Sequence, residues 1–310
     1  MEDPSPWSDL DRPPLSRVAL SRALAQGSPA AGRVVEVVPR TASTNADVLA
    51  RAAAGEPEGL VVVTDHQTAG RGRLDRAWVT PPRAAVAVSV LLRPGVATTG
   101  PDGVGLAAVD GVRWSWLPLL AGVAAADALT RTCGLTARLK WPNDVLVPRD
   151  GRPDGEPGKV CGILAELAST PTGIAVVVGA GINVSQTAAE LPVPTATSLA
   201  LAGAATTDRD TVVRAYLRTL ADRYRAWRRA AGDPRGSGIA AAYREACATI
   251  GLEVAVELGA GVVRGLAAGV DDDGRLLVRQ AGPDGAGPPG RVHALAAGDV
   301  VHVRPSATSA

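Results

Sequence analysis

The sequence predicts an α/β or α+β protein with a mixed β-sheet, followed by a small all-β barrel. Two observations carry this. Short β-branched runs, some of them paired as hairpins, are interleaved with helical patterns over most of the chain. From about Gly251 the texture changes to short strands at close spacing, joined by Gly- and Asp-rich turns. The length of 310 residues and the 46% hydrophobic content suit about two domains.

In order, residues 1–32 read as a tail with Pro4, Pro6, Pro13 and Pro14 and one short helix near Leu15 to Ala25. A winged helix-turn-helix needs three helices and a β-wing, for which this segment is too short. Val34–Val38 is a first strand closed by Pro39, and a helix is expected from about Ala46 to Ala54, stopped by Gly55. Ser43 and Thr44 are natural N-caps. A cap employs one of the three side chains in Ser43-Thr44-Asn45 and leaves two to face a ligand. Leu60–Val63 is a buried strand that runs into the loop Asp65–Trp78. Ala85–Leu92 is a further strand, and 95–112 reads as a flexible insertion. Trp116–Cys133 has helical spacing and stops at Gly134. Leu139–Trp141, Val145–Val147, Val160–Leu167 and Ile174–Gly179 are strands, and Asp208–Ala231 is the best helix. In the terminal part, Val254–Val256, Val262–Gly265, Leu276–Val278 and Val300–Val303 are strands, with Asp272-Asp273-Gly274 as a turn. The expected division is a tail over 1–32, a main domain over 33–246 and the barrel over 247–310.

Composition narrows the function. A net charge of +1 gives no footprint for non-specific nucleic-acid binding. No apolar run is long enough to span a bilayer, and no signal peptide is visible. Cys133, Cys161 and Cys247 lack CxxC spacing, and His66, His293 and His302 lack ligand spacing. That argues for a reducing, cytoplasmic setting and against a metal site made by a side-chain cluster.

The loop Asp65–Trp78 is the chemical centre of the sequence. Arg71, Arg73 and Arg76 crowd three guanidinium groups into a few residues, and their planar forks match carboxylate or phosphate oxygens. Gly70 and Gly72 give the loop backbone freedom, so it is expected to be mobile when empty and ordered by an anion. Lys140 sits in LKWPND, held at a strand end where its ammonium can meet a phosphate, beside Pro142, Asn143 and Asp144. Familiar nucleotide motifs are missing: there is no GxxxxGK[ST], and Gly179-Ala180-Gly181 lacks the third glycine of a dinucleotide fingerprint. Phosphate chemistry must rest on the arginine loop with Lys140.

Six strings follow one another in order: Ser43-Thr44-Asn45; Gln67-Thr68-Ala69-Gly70-Arg71-Gly72-Arg73; Lys140-Trp141-Pro142-Asn143-Asp144; Lys159 with Gly162-Ile163-Leu164 and Glu166; Gly179-Ala180-Gly181-Ile182-Asn183-Val184; and Thr197-Ser198-Leu199. Together they resemble the biotin protein ligases over roughly Val34 to Ala231, and the terminal barrel resembles that family's C-terminal domain. The resemblance implies an α+β, class II synthetase-like catalytic domain with a mixed β-sheet flanked by helices, shared with lipoate ligases, plus a small Src-homology-3-like β-barrel. It implies ATP-dependent formation of biotinyl-5′-AMP with release of pyrophosphate, then transfer of biotin to a lysine of a biotin carboxyl carrier domain of an acyl-CoA carboxylase. Magnesium is expected to travel with ATP.

By the same resemblance Ser43, Thr44, Asn45, Gln67, Gly70, Arg71, Gly72, Arg73, Lys140 and Gly162 surround biotin. Arg73, Arg76, Trp78, Lys140, Asn143 and Asn183 are assigned to ATP, with Trp78 as a lid over the adenine. Lys140, Arg73 and Arg71 are the expected catalytic cations. Many relatives carry GRGRRGR where this chain has Leu74-Asp75-Arg76, which places Asp75 among the arginines. A lipoate ligase is the nearest alternative, and a biotin-responsive repressor would need a DNA-binding domain that residues 1–32 do not supply. The sequence leaves monomer or homodimer open.

Overall fold

A computed structural model describes residues 11–25, 35–100, 102–149, 156–259, 261–280, 290–296 and 298–302. Seven strands build the main sheet: β1 (Val35–Val38), β2 (Val61–Thr64), β3 (Ala85–Leu92), β4 (Arg138–Lys140), β5 (Asp144–Pro148), β6 (Pro157–Thr170) and β7 (Gly173–Asn183). Their order is β1-β2-β3-β7-β6-β5-β4, with β1 and β2 parallel and every other neighbour antiparallel.

The period of two along these strands sorts residues onto two faces. On one face Val86, Val88, Val90, Val176, Val178, Ala180 and Ile182 join the main core, under α3 (Trp116–Cys133), α4 (Arg209–Arg229) and α5 (Ile239–Ala246). On the other, Val62, Leu91, Ala175 and Val177 pack with Val48 and Ala52 of α2 (Thr44–Ala53). Beyond that small cluster the second face carries Ala87, Ser89, Gly179 and Gly181. Their lack of bulk leaves a hollow beside the first turn of α2.

The N-terminal segment is seated on the domain. Helix α1 (Arg17–Ala25) brings the fully buried Leu20 into the main core. Ahead of it, the Leu15 amide donates to Asp65 Oδ1 at 3.2 Å, and Asp65 pairs with Arg209 at 2.7 Å, both side chains being buried. Removing one partner of such a pair strands a charge and costs about 3–5 kcal/mol. Segment 95–112, expected to be flexible, is pinned from below. Arg228, wholly buried, donates to the carbonyls of Val96 (2.7 Å), Ala107 (3.1 Å) and Leu106 (3.4 Å), while Trp114 donates to Val109 O at 3.1 Å. A buried guanidinium with several donors requires fixed carbonyls around it, and the loop supplies them.

Five antiparallel strands form the terminal barrel: β8 (Glu253–Leu258), β9 (Gly261–Val270), β10 (Leu276–Arg279), β11 (Val292–Leu295) and β12 (Asp299–His302), in the order β11-β10-β9-β8-β12. Neither β11 nor α5 is anticipated by the sequence pattern. The turn after β9 is clasped by the main domain: Trp116 Nε1 donates to Asp272 O (2.7 Å), Ser115 Oγ to Asp273 O (2.7 Å) and Trp141 Nε1 to Gly274 O (3.1 Å). Gly274 adopts a positive φ of 77°, and a methyl group there would stand 2.9 Å from Leu119. Glycine answers both demands. The clasp fixes where the barrel's other end, at β12, meets the sheet.

Candidate functional site

A cavity of about 570 Å³ opens on the small-residue face, between α2, strands β6 and β7, the arginine loop and β12. It gathers Ser43, Thr44, Asn45, Gln67, Arg71, Gly72, Arg73, Arg76, Trp78, Lys140, Asn143, Gly162 and Asn183. Of the expected site residues, Gly70 alone is not on its wall. A methyl group there would lie 2.5 Å from the Trp78 carbonyl and 2.7 Å from Gln67 Nε2, so Gly70 permits the close ladder of Gly70–Arg71 with Ala77–Trp78. Gly70 and Gly72 are not at positive φ; the left-handed residue of this loop is Leu74, at 54°. Their service is close approach. The side chain of Asp75 lies outside the described residues.

The Ser43-Thr44-Asn45 string starts α2, two residues earlier than the pattern indicates, because Ser43 takes the N-cap and accepts from the Ala46 amide at 3.5 Å. Thr41 bridges to Gln67, which carries the β1–β2 pairing onward and sets the string beside the Gln67 loop. Thr44 and Asn45 are not free. Gln67 Oε1 accepts from the Thr44 amide (2.9 Å) and hydroxyl (3.1 Å). Asn45 Nδ2 donates to Glu166 Oε2 (2.7 Å) and Leu164 O (3.3 Å), and Ser89 Oγ lies 2.6 Å from Asn45 Oδ1 and 2.7 Å from Thr44 Oγ1. Buried polar groups need such partners, and here they bind one another into a rigid wall.

The floor is glycine. Gly162 faces Gly181 across the β6–β7 ladder, and the Trp78 indole lies on both: a methyl at Gly181 would stand 2.5 Å from the ring, and one at Gly162 3.1 Å. At Gly179 it would stand 2.2 Å from Asn45 Oδ1. The Trp78 indole N–H is buried and has no acceptor among the described residues. Lys159 stands over this floor, with Nζ 5.6 Å from the Trp78 ring centre, within cation–π range. Its Nζ is also 2.7 Å from Asp144 Oδ1, off the hydrogen-bonding direction, since that buried oxygen accepts no hydrogen bond. The backbone of Lys159 is held by Thr195 and Thr197.

The mouth is cationic, and two of its four charges are paired with carboxylates. Arg71 pairs with Glu166 at 3.0 Å and Arg76 with Asp299 of β12. Arg73 donates to Asn143 Oδ1 and to the Gly298 carbonyl, both at 3.3 Å. The loop expected to be ordered by an anion is thus held by the chain's own carboxylates at Arg71 and Arg76, and by neutral oxygens at Arg73. Arg76 holds the Asp299 carboxyl below its ordinary value, and burial is the main cause lowering Arg73. Lys140 ends β4 with no hydrogen bond or ion pair among the described residues; its charge is felt by Asp299 and His302. Asn143 Nδ2 donates to Ile163 O at 2.9 Å, while Asn183 is tied to Thr197 O and Gln186.

Sequence reasoning left Ser89 and Asp299 out of the site, gave Asp144 only metal- or ribose-capable oxygens beside Lys140, and gave Lys159 no role of its own. A signal for the floor was present: in Ile174–Asn183 every second residue is apolar, so Gly179, Gly181 and Asn183 must share the opposite face.

Known proteins share this arrangement of sequence and fold. Residues 37–183 match the Biotin/lipoate A/B protein ligase family and residues 249–303 the Biotin protein ligase C terminal domain. The chain is 40% identical over 301 residues to a biotin–[acetyl-CoA-carboxylase] ligase of Mycobacterium tuberculosis, covering 96% of this chain and 98% of that one. It is 32% identical over 226 residues to the bifunctional ligase/repressor BirA of Bacillus subtilis, covering 72% of this chain and 62% of that protein. A biotin protein ligase from Aquifex aeolicus, solved in complex with biotin and ATP, aligns with a TM-score of 0.64 over 87% of this chain and 99% of that one; its 24% identity speaks for the fold. With 40% identity along nearly the whole of both chains, this protein belongs to the biotin protein ligase family.

Proposed function

We propose that this protein joins biotin to ATP as biotinyl-5′-AMP, releasing pyrophosphate, and passes the biotinyl group to a lysine of a biotin carboxyl carrier domain. The observation that carries the reading is Lys159, set between a neutral, hydrogen-bonded wall and a cationic mouth. The wall of Thr44, Asn45 and Gln67 suits a small polar ring such as the ureido group. The acyl chain belongs over Gly162 and Gly181, in the space that the Trp78 ring fills in this structure, so the ring moves aside as the chain enters.

At the end of that floor a carboxylate meets the Lys159 ammonium, and Arg73, Arg76 and Lys140 stand where the phosphates arrive. Bringing a carboxylate to the α-phosphate joins two anions, so fixed positive charge is what the step requires. Attack forms the acyl–phosphate bond and expels pyrophosphate; the carrier lysine amine then takes the acyl carbon and expels AMP. Trp78 and the loop shield the mixed anhydride from water.

Among the described residues no cluster of three or more His, Cys, Asp or Glu could hold a metal by itself. Asp144, whose Oδ1 faces Lys159, and Asp299, paired with Arg76, are the carboxylates on the cavity wall that would help to hold a magnesium ion carried by the phosphates, where it would screen their charge. The test is transfer. With ATP and magnesium, a carboxyl carrier domain should gain biotin on one lysine, read by mass spectrometry, and should gain nothing from lipoate. Lipoylation instead would keep the fold and discard the substrate.

A further inference from the structure

We infer that Ser89, at the centre of the sheet and outside the cavity wall, is a positioning residue that sets the cavity's preference for a headgroup bearing N–H donors. The inference rests on the ligase reading above and deepens it.

Ser89 is wholly buried on β3, between Val62 of β2 and Gly179 of β7. It is the hydroxyl of that strand, and it faces α2. Three oxygen–oxygen contacts run through it and its neighbour: Ser89 Oγ to Asn45 Oδ1 (2.6 Å), Ser89 Oγ to Thr44 Oγ1 (2.7 Å) and Thr44 Oγ1 to Gln67 Oε1 (3.1 Å). Amide oxygens accept and never donate, so these contacts have only the two hydroxyl hydrogens to share. Gln67 Oε1 also takes the Thr44 amide hydrogen, so with Ser89 giving to Asn45 and Thr44 giving to Ser89 every oxygen is met, and what the set still offers a ligand is acceptor lone pairs.

The orientation of the Asn45 amide is settled by its other end. Nδ2 donates to Glu166 and Leu164, which leaves Oδ1 as the atom facing Ser89. The amide occupies the space that a side chain at position 179 would take, since a methyl on Gly179 would stand 2.2 Å from its Oδ1. A ligand N–H entering beside Thr44, Asn45 and Gln67, all on the cavity wall, meets these acceptors. A ureido ring brings two such donors; a dithiolane ring brings none and leaves the acceptors without a ligand partner. Ser89 therefore acts through Thr44 and Asn45, by fixing which oxygens are offered.

The experiment measures KM for biotin and for ATP separately in biotin-dependent pyrophosphate release, for the wild type, Ser89→Ala and Ser89→Cys. Loss of the buried hydroxyl between Thr44 and Asn45 is expected to raise the biotin KM by about tenfold or more in Ser89→Ala. The ATP KM should stay within about twofold, and the biotin-to-lipoate ratio should narrow. Ser89→Cys, whose thiol is a weak donor of similar shape, should fall between. An unchanged biotin KM, or a parallel rise in both constants, overturns the inference while leaving the ligase reading in place. A wild type that releases pyrophosphate with lipoate and not with biotin overturns that reading, and this inference with it.

Discussion

The two ends of the cavity are built on opposite principles. At the sheet end Thr44, Asn45 and Ser89 are neutral, buried and bonded to one another, with Gln67 and Glu166 tied to them, and they rest on strands whose register is fixed within the core. At the mouth the polar groups are charged and partly exposed, and they lie on a loop whose partners come from β6 and from the barrel. Geometry at the first end is part of the fold, so it costs nothing to hold. At the second it is held by ion pairs that solvent weakens and that an arriving phosphate can replace, because Glu166 and Asp299 present the same kind of oxygen. The contrast teaches that recognition of the small ring is pre-formed, whereas the nucleotide end is kept in order by acidic stand-ins.

Lys159 joins the two ends, and its loss should have the largest effect. Lys159→Ala is expected to slow biotin-dependent pyrophosphate release by roughly a hundredfold or more, the scale for removing a fixed charge at a reacting centre. Lys140 is the expected catalytic cation on sequence grounds; the geometry moves the greater loss to Lys159. Single-turnover rates for the two variants decide the order. Next comes Gly181→Val, which drives a branched side chain into the space of the Trp78 ring. We expect the biotin KM to rise about tenfold or more with a smaller change for ATP, as fits a displaced sheet end.

The barrel tests the comparison from the other side. Trp141→Phe deletes the indole donor to Gly274 O and leaves a buried carbonyl short, at a cost of about 1–3 kcal/mol. Calorimetry should show a midpoint lowered by several degrees. Asp299→Asn should do least, below about 1 kcal/mol, and its effect should fade in high salt. The pH sense follows from the depressed carboxyl: the Arg76–Asp299 contribution is complete above the ordinary aspartate value of 3.8 and is lost as the pH falls through the lower folded value. Neutral-pH assays therefore see the pair intact.

Much of this was legible in the residues. Trp116–Cys133 and Ala85–Leu92 have the bounds that their patterns indicate, since periodicity and a closing Gly134 or Arg93-Pro94 mark them. Five of the six strings supply residues to one cavity; the sixth, Thr197-Ser198-Leu199, stands behind its wall, where Thr197 holds the backbone of Lys159 and the side chain of Asn183. What could not be read is pairing across the chain. Nothing local tells that Arg228 holds the carbonyls of 96–107, that Asp299 answers Arg76, or that Ser89 reaches Asn45. Helix α5, eight residues rich in alanine, lacks a side-chain cap and is seated by Tyr243 against Trp116, an edge-on contact at 6.2 Å. Such elements are set by tertiary packing, which local pattern does not contain.

The central claim is that the sheet end selects a biotin-like ring and the mouth then activates it. Its most direct test is pyrophosphate release with ATP and magnesium, comparing biotin with lipoate in the absence of any carrier. The account predicts release with biotin and none with lipoate; release with lipoate, or with neither, would contradict it.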